Sequence, residues 1–147
     1  MAIDQLITVR RFAERREKEA GVRLSRAHVA LGAAESQLRQ IVEYREDYQR
    51  LATGVGGNVM GTQQLQAARY FLSELDKMAA KQRITIQQAQ LALDQQRGSW
   101  VDAKRRLTAI EKLRAQRQKT QRIANEKRQQ RVQDELYSLK MNFEKRF

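Results

Sequence analysis

The strongest constraint in this sequence is a line of apolar residues that alternate in spacing between three and four. Fourteen consecutive positions follow this spacing, and only Gln82 and Gln96 among them are polar. The positions are Leu65, Ala68, Leu72, Leu75, Ala79, Gln82, Ile86, Ala89, Leu93, Gln96, Trp100, Ala103, Leu107 and Ile110. This spacing places one apolar stripe, or seam, along a single helix, and its period near 3.5 predicts a left-handed coiled coil.

A second seam lies earlier in the chain. It comprises Leu24, Ala27, Leu31, Ala34, Leu38, Ile41, Tyr48 and Ala52, with Arg45 as its one polar member. Further upstream, Leu6, Val9, Ala13 and Ala20 continue the stripe with one shift of phase near Arg23. The sequence therefore predicts a first helix over residues 4–52.

The two seams are separated by a cluster of glycines. Four of the seven glycines, Gly54, Gly56, Gly57 and Gly61, fall within eight residues, and each disfavours helix by about 1 kcal/mol relative to Ala. The pattern predicts a turn at 53–61 and a second helix at 62–145, capped by Thr62. Since neither seam can be buried alone, the short connection favours an antiparallel hairpin.

We thus predict an all-α fold: residues 1–147 form a single long antiparallel two-helix coiled-coil hairpin. If the turn is centred near Gly57, the second helix is longer than its partner, and residues 112–147 overhang it. Proline, which would interrupt such helices, is absent from the sequence.

Composition argues against catalysis and against a membrane span. There is no cysteine, the single histidine, His28, has no catalytic partners near it in sequence, and the glycine-rich turn lacks the Gly-Lys-Ser/Thr ending of a phosphate loop. The apolar runs are far shorter than the roughly 20 residues of a transmembrane helix. We expect no enzyme activity, no cofactor and no metal, and a cytoplasmic location.

The predicted overhang carries most of the positive charge. Residues 112–147 contain eleven Lys or Arg and four Asp or Glu, within a chain of formal net charge +12. The simplest interpretation is that the overhang is a charged helix surrounded by solvent. The alternatives are that it enters an acidic cavity of a protein partner or binds nucleic-acid phosphates. An apolar stripe within the overhang favours a protein partner; it consists of Val132, Leu136, Leu139 and Phe143.

A second apolar patch lies near the turn, where two sets of residues share a spacing of four, three and four. They are Gln37, Ile41, Tyr44 and Tyr48 on the first helix, and Phe71, Leu75, Met78 and Gln82 on the second. Tyr44, Phe71 and Met78 lie beside the seam, where a two-helix hairpin cannot fully cover them. From spacing alone, a binding patch and a thickened core are equally supported.

Several short motifs resemble those of the flagellar FliJ family, over about residues 30–110. The most selective are the paired tyrosines, the position of the turn and the Ser99-Trp100 pair. The matching segments are 34–38 (AESQL), 43–44 (EY), 48–49 (YQ), 71–77 (FLSELDK), 82–83 (QR), 91–93 (LAL), 99–100 (SW), Lys104 and 106–107 (RL).

The resemblance implies a non-enzymatic stalk of the flagellar type III export apparatus, held by its partners at the cytoplasmic face of the inner membrane. It implies three partners: the hexameric export ATPase, the linker region of the export-gate protein FlhA, and export chaperones. The gate-binding residues would be Gln37, Ile41, Tyr44, Tyr48, Phe71, Leu75, Met78 and Gln82, although a histidine can replace Gln82 in the family.

Geometry and charge, rather than motifs, indicate the ATPase-facing end. It would comprise Arg10, Arg11, Lys112, Arg114, Arg117 and Lys119. Two alternatives remain open at this point: a basic coiled coil that binds nucleic acid, which the scarcity of aromatic residues in the overhang disfavours, and the equivalent stalk of a virulence secretion system.

Overall fold

A computed structural model describes residues 3–54 and 61–146, which form two long helices and, within those ranges, no strand. Helix α1 spans Ile3–Ala52 and helix α2 spans Thr62–Arg146. Both helices begin and end within one residue of the predicted bounds. They pack against each other as a hairpin, so the predicted all-α fold is confirmed.

The chain divides into two compact units. Unit 1 contains Met1–Glu17 and Ala103–Phe147, and unit 2 contains Lys18–Asp102. In unit 2, the Gln82 side chain bonds to the Ala34 carbonyl, and the Arg45 side chain bonds to Asp76. A residue later in α1 therefore contacts a residue earlier in α2. This order shows that the helices are antiparallel. The prediction that residues 1–147 form a single domain stays a prediction.

The predicted seams are the buried faces of the helices. Every seam position named above is buried or half-buried on both helices. The most enclosed are Leu6, Ala13, Ala20, Ala34, Ala68, Leu75, Ala79 and Leu93. Alanine is frequent among them because close helix packing leaves little room for larger side chains.

The predicted phase shift near Arg23 is wrong. Arg10 and Glu17 are half-buried and occupy the heptad positions between Leu6, Ala13, Ala20 and Leu24, so the spacing of four and three continues without interruption. Long charged side chains can hold such positions because their methylene groups cover apolar surface while their charged ends reach water.

The helix ends near the turn use glycine in two ways. Gly54 has a φ of 73°, the left-handed conformation that commonly ends a helix. Gly61 rather than Thr62 takes the capping position: its carbonyl accepts from the Leu65 amide, and its own amide donates to the Gln64 side chain. Residues 55–60 of the predicted turn lie outside the described residues.

Trp100 packs against a glycine in unit 2. A Cβ built on Gly21 would lie 3.6 Å from the indole Cδ1 and Nε1 atoms, which is ordinary van der Waals contact. The absence of a side chain at Gly21 leaves room for the indole ring. Core packing, the predicted role of Trp100, agrees with this position.

Candidate functional site

The predicted patch near the turn contains three aromatic rings that lie against one another. We call Tyr44, Tyr48 and Phe71 the aromatic cluster. The ring centroid of Phe71 lies 5.9 Å from that of Tyr44, in an edge-to-face arrangement, and 4.7 Å from that of Tyr48. These distances fall in the range of favourable aromatic pairs, so the sequence spacing correctly placed residues from both helices in one group.

The outer surface of the patch is exposed. Tyr44 is 53% exposed and Met78 is 51% exposed, as their positions beside the seam predicted. Gln37 is also exposed, whereas Phe71, Tyr48 and Ile41 are half-buried. Tyr44 and Met78 therefore present large side chains at the surface, while Phe71, Tyr48 and Ile41 are partly covered.

Two of the eight predicted residues lie inside the hairpin. Leu75 is only 4% exposed, so it belongs to the buried seam and not to the surface of the patch. The side-chain amide of Gln82 donates to the Ala34 carbonyl oxygen at 3.0 Å. This bond satisfies a polar group within the seam and links the two helices at a fixed register, as polar residues at seam positions often do.

An ion pair across the helices borders the aromatic cluster. The guanidinium of Arg45 donates to Asp76 on α2 and, through Nη1, to the Gln49 side chain at 2.8 Å. The hydrogen bond and charge of Asp76 raise the pKa of Arg45. This contact explains how a charged residue occupies the seam of α1, which the sequence alone did not.

The predicted ATPase-facing cations all lie in unit 1, but they differ in how far their side chains are exposed. Arg10 forms an ion pair with Glu111, with 3.5 Å between Nη2 and Oε1. Arg114 is half-buried, and its enclosed Nε atom has no hydrogen-bond partner among the described residues. Arg11, Lys112, Arg117 and Lys119 are exposed. Arg10 and Arg114 therefore contribute to the hairpin itself, and the other four cations face solvent.

The end of α2 is exposed on all sides. Every residue from 115 to 146 is exposed, including the apolar stripe of Val132, Leu136, Leu139 and Phe143. Within unit 1, α2 thus extends beyond its contacts with α1, which confirms the predicted overhang. Its cations and its apolar stripe are both presented to potential partners.

Unit 1 also contains an apolar cleft that the sequence did not reveal. It is a half-open cleft of about 380 Å³ between the helices, and its walls include Phe12, Ala13, Arg16, Arg106, Ala109 and Ile110. Phe12 is 56% exposed, and the Arg16 guanidinium carbon lies 4.7 Å from the centre of its ring. Phe12 lies one position off the seam, a signal that could have identified it as a surface aromatic.

Two kinds of site were sought among the described residues without success. No group of three or more His, Cys, Asp or Glu side chains could hold a metal ion. No helix there is both long and apolar enough to cross a membrane.

Comparison with protein families tests the resemblance that the sequence motifs indicated. The family described as flagellar FliJ protein matches residues 1–146, which is nearly the whole chain. The chain belongs to the FliJ family. Membership extends the resemblance seen over residues 30–110 to both ends of the chain, and the family is a non-catalytic component of flagellar type III export. No curated protein matches the sequence.

Proposed function

We propose that this FliJ-family chain is a non-enzymatic stalk that links the hexameric export ATPase to the export-gate protein FlhA and assists export chaperones. Its place would be the cytoplasmic face of the inner membrane, where it would be held by its partners. The observation that carries this proposal is the aromatic cluster on unit 2, in which Tyr44 is exposed, together with a basic surface on unit 1.

The aromatic cluster has the chemistry of a protein-docking surface. Tyr and Met are enriched at interfaces, and rigid aromatic rings lose little conformational entropy on binding. The ring of Phe71 packs against those of Tyr44 and Tyr48, and this packing restricts the rotamers of both tyrosines before a partner arrives. A preorganised surface of this kind binds with a smaller entropic cost. We assign it to the FlhA linker.

The basic surface of unit 1 suits an acidic partner. Arg11, Lys112, Arg117 and Lys119 are exposed, and the excess of cations continues along the exposed end of α2. Charges arranged in this way accelerate association with an acidic surface and are sensitive to salt. We assign this end to the export ATPase, whose ring would surround the overhang.

The aromatic assignment is tested with Tyr44→Ala and Phe71→Ala in binding measurements against the purified linker of the cognate FlhA. Truncating an aromatic anchor is expected to weaken binding at least about 10-fold. Tyr70→Ala is the matched control, because Tyr70 directly precedes Phe71 on α2 but is exposed and does not belong to the aromatic cluster. Helicity measured by circular dichroism should be unchanged. Equal affinities for Tyr44→Ala and Tyr70→Ala would remove the patch from the proposal.

Nucleic-acid binding is the second candidate, because the exposed end of α2 carries an excess of cations. Phosphate binding would weaken steeply with salt and would not depend on Tyr44. Binding to duplex DNA and RNA at physiological salt, compared with binding to the export ATPase, separates the candidates. The stalk proposal expects tight binding to the ATPase and only weak binding to nucleic acid.

A further inference from the structure

The apolar cleft of unit 1 is a second surface with the properties of a docking site. Its walls come from both helices, with Phe12 and Arg16 on α1 and Arg106 and Ala109 on α2. The cleft exists because small residues, Ala13 and Ala109, stand where larger side chains would fill the space between Phe12 and Ile110. The arrangement leaves an opening that a side chain from another molecule can enter.

The size of the cleft fits one or two large apolar side chains. Its volume of about 380 Å³ lies at the low end of the roughly 300–1,000 Å³ of ligand pockets. Its floor is formed by aliphatic and aromatic carbon, and filling it would bury the exposed part of Phe12. Exposed aromatic residues next to small pockets are common positions for the dominant contacts of an interface.

The charges around the cleft indicate the chemistry of its occupant. Arg16 lies over the Phe12 ring, Arg106 lines the opposite wall, and none of the described residues that line the cleft is acidic. Arginine forms two parallel hydrogen bonds with a carboxylate while its flat face remains stacked on an aromatic ring. An occupant with carboxylates on both sides of an apolar side chain therefore matches both the cleft and its rim.

We propose that this cleft receives a large apolar side chain from an acidic segment of the export ATPase. The proposal rests on the function assigned above and adds to it an apolar anchor within the basic end. Charge then governs how fast the two proteins meet, and the inserted side chain governs how long they stay together. Arg16 and Arg106 would hold the carboxylates that flank the inserted residue.

The test measures binding of the full chain to the purified cognate export ATPase. Phe12→Ala removes one wall of the cleft. Ala109→Leu fills the cleft from an exposed position, and leucine keeps a high helix propensity there. Tyr70→Ala and Ala92→Leu are the matched controls, since Tyr70 and Ala92 are exposed residues of unit 2. Each cleft variant should weaken binding at least about 10-fold, mainly through faster dissociation, and neither control should change it by more than about twofold.

Three outcomes would overturn the cleft assignment, and they are distinguishable. Tight binding of the unchanged chain together with near-normal binding of Phe12→Ala and Ala109→Leu would remove the cleft and leave the proposed function intact. No binding of the unchanged chain would remove the ATPase partner and the cleft assignment with it. A concentration-dependent dimer in sedimentation, abolished by Ala109→Leu, would identify a second copy as the occupant.

Discussion

Two parts of helix α2 both contain many helix-favouring residues but have different surroundings. Between Leu65 and Ile110, every third or fourth residue is buried or half-buried against α1, whereas every residue from 115 to 146 is exposed. Both parts are rich in Gln and Arg, which favour helix. We call them the supported and unsupported parts. The helix at 115–146 therefore depends on propensity and on local contacts such as the Arg122–Glu126 ion pair, while packing against α1 stabilises the helix at 65–110.

Amide hydrogen exchange should show the largest difference between the two parts. Amides at 65–110 should exchange at least about 100-fold more slowly than those at 115–146, because packed helices open only by cooperative unfolding, whereas an isolated helix frays. Exchange measured by mass spectrometry on the isolated chain provides the comparison. Equal protection would mean that something in the free protein covers 115–146.

Leucine truncations should differ almost as clearly. Leu93 is 2% exposed and Leu136 is 61% exposed. Leu93→Ala should lower the free energy of unfolding by about 2–4 kcal/mol, since it opens a cavity in the seam. Leu136→Ala should change it by less than about 0.5 kcal/mol. Thermal unfolding followed by circular dichroism measures both, and similar losses would contradict the comparison.

A substitution of Gln82 tests whether this polar residue lowers the free energy of unfolding of the supported part while it fixes the register of the two helices. Gln82→Leu removes its bond to the Ala34 carbonyl but adds an apolar side chain to the seam. We expect a gain of about 1 kcal/mol in the free energy of unfolding, because apolar burial there exceeds the net value of one hydrogen bond. Gln88→Leu, at an exposed position of the same helix, is the control. A loss of stability at Gln82→Leu would show that the bond outweighs the burial.

Glycine substitutions should give the smallest effects. A Cβ at Gly98 would meet nothing within 4 Å, so Gly98→Ala should raise the free energy of unfolding by about 0.5–1 kcal/mol. Ser138→Ala gives a similar gain in propensity within the unsupported part, but it should leave the global transition unchanged. Gly54→Ala should destabilise, because the φ of Gly54 is positive. A shift of the global unfolding transition by Ser138→Ala would contradict the distinction between the supported and unsupported parts.

Much of the fold could be predicted from the sequence, because burial in a two-helix hairpin follows heptad spacing directly. The buried seams and the exposure of Tyr44 and Met78 follow from that spacing, and the glycine cluster marks the ends of both helices at the turn. The heptad positions of Arg10 and Glu17 were missed because charged residues hide a seam when only apolar residues are counted. Gly61 was missed as a cap because Thr62 is the more common capping type.

The candidate sites were only partly predictable. Spacing identified the residues of the aromatic cluster, but the edge-to-face contact of Tyr44 with Phe71 depends on side-chain rotamers. The cleft at Phe12 depends on which small residue of α2 lies opposite, which requires the register of the two helices. The pairing of Arg45 with Asp76 has the same origin: in the sequence, Arg45 is a polar member of the seam, and Asp76 resembles an ordinary surface charge.

The account's central claim is that two different surfaces of this chain engage two different partners. Parallel titrations of the full chain with the export ATPase and with the FlhA linker test it most directly, using Phe71→Ala, Phe12→Ala and the unchanged protein. The account predicts that Phe71→Ala loses the linker and keeps the ATPase, while Phe12→Ala loses the ATPase and keeps the linker. Loss of both partners by either variant, with helicity unchanged, would contradict it.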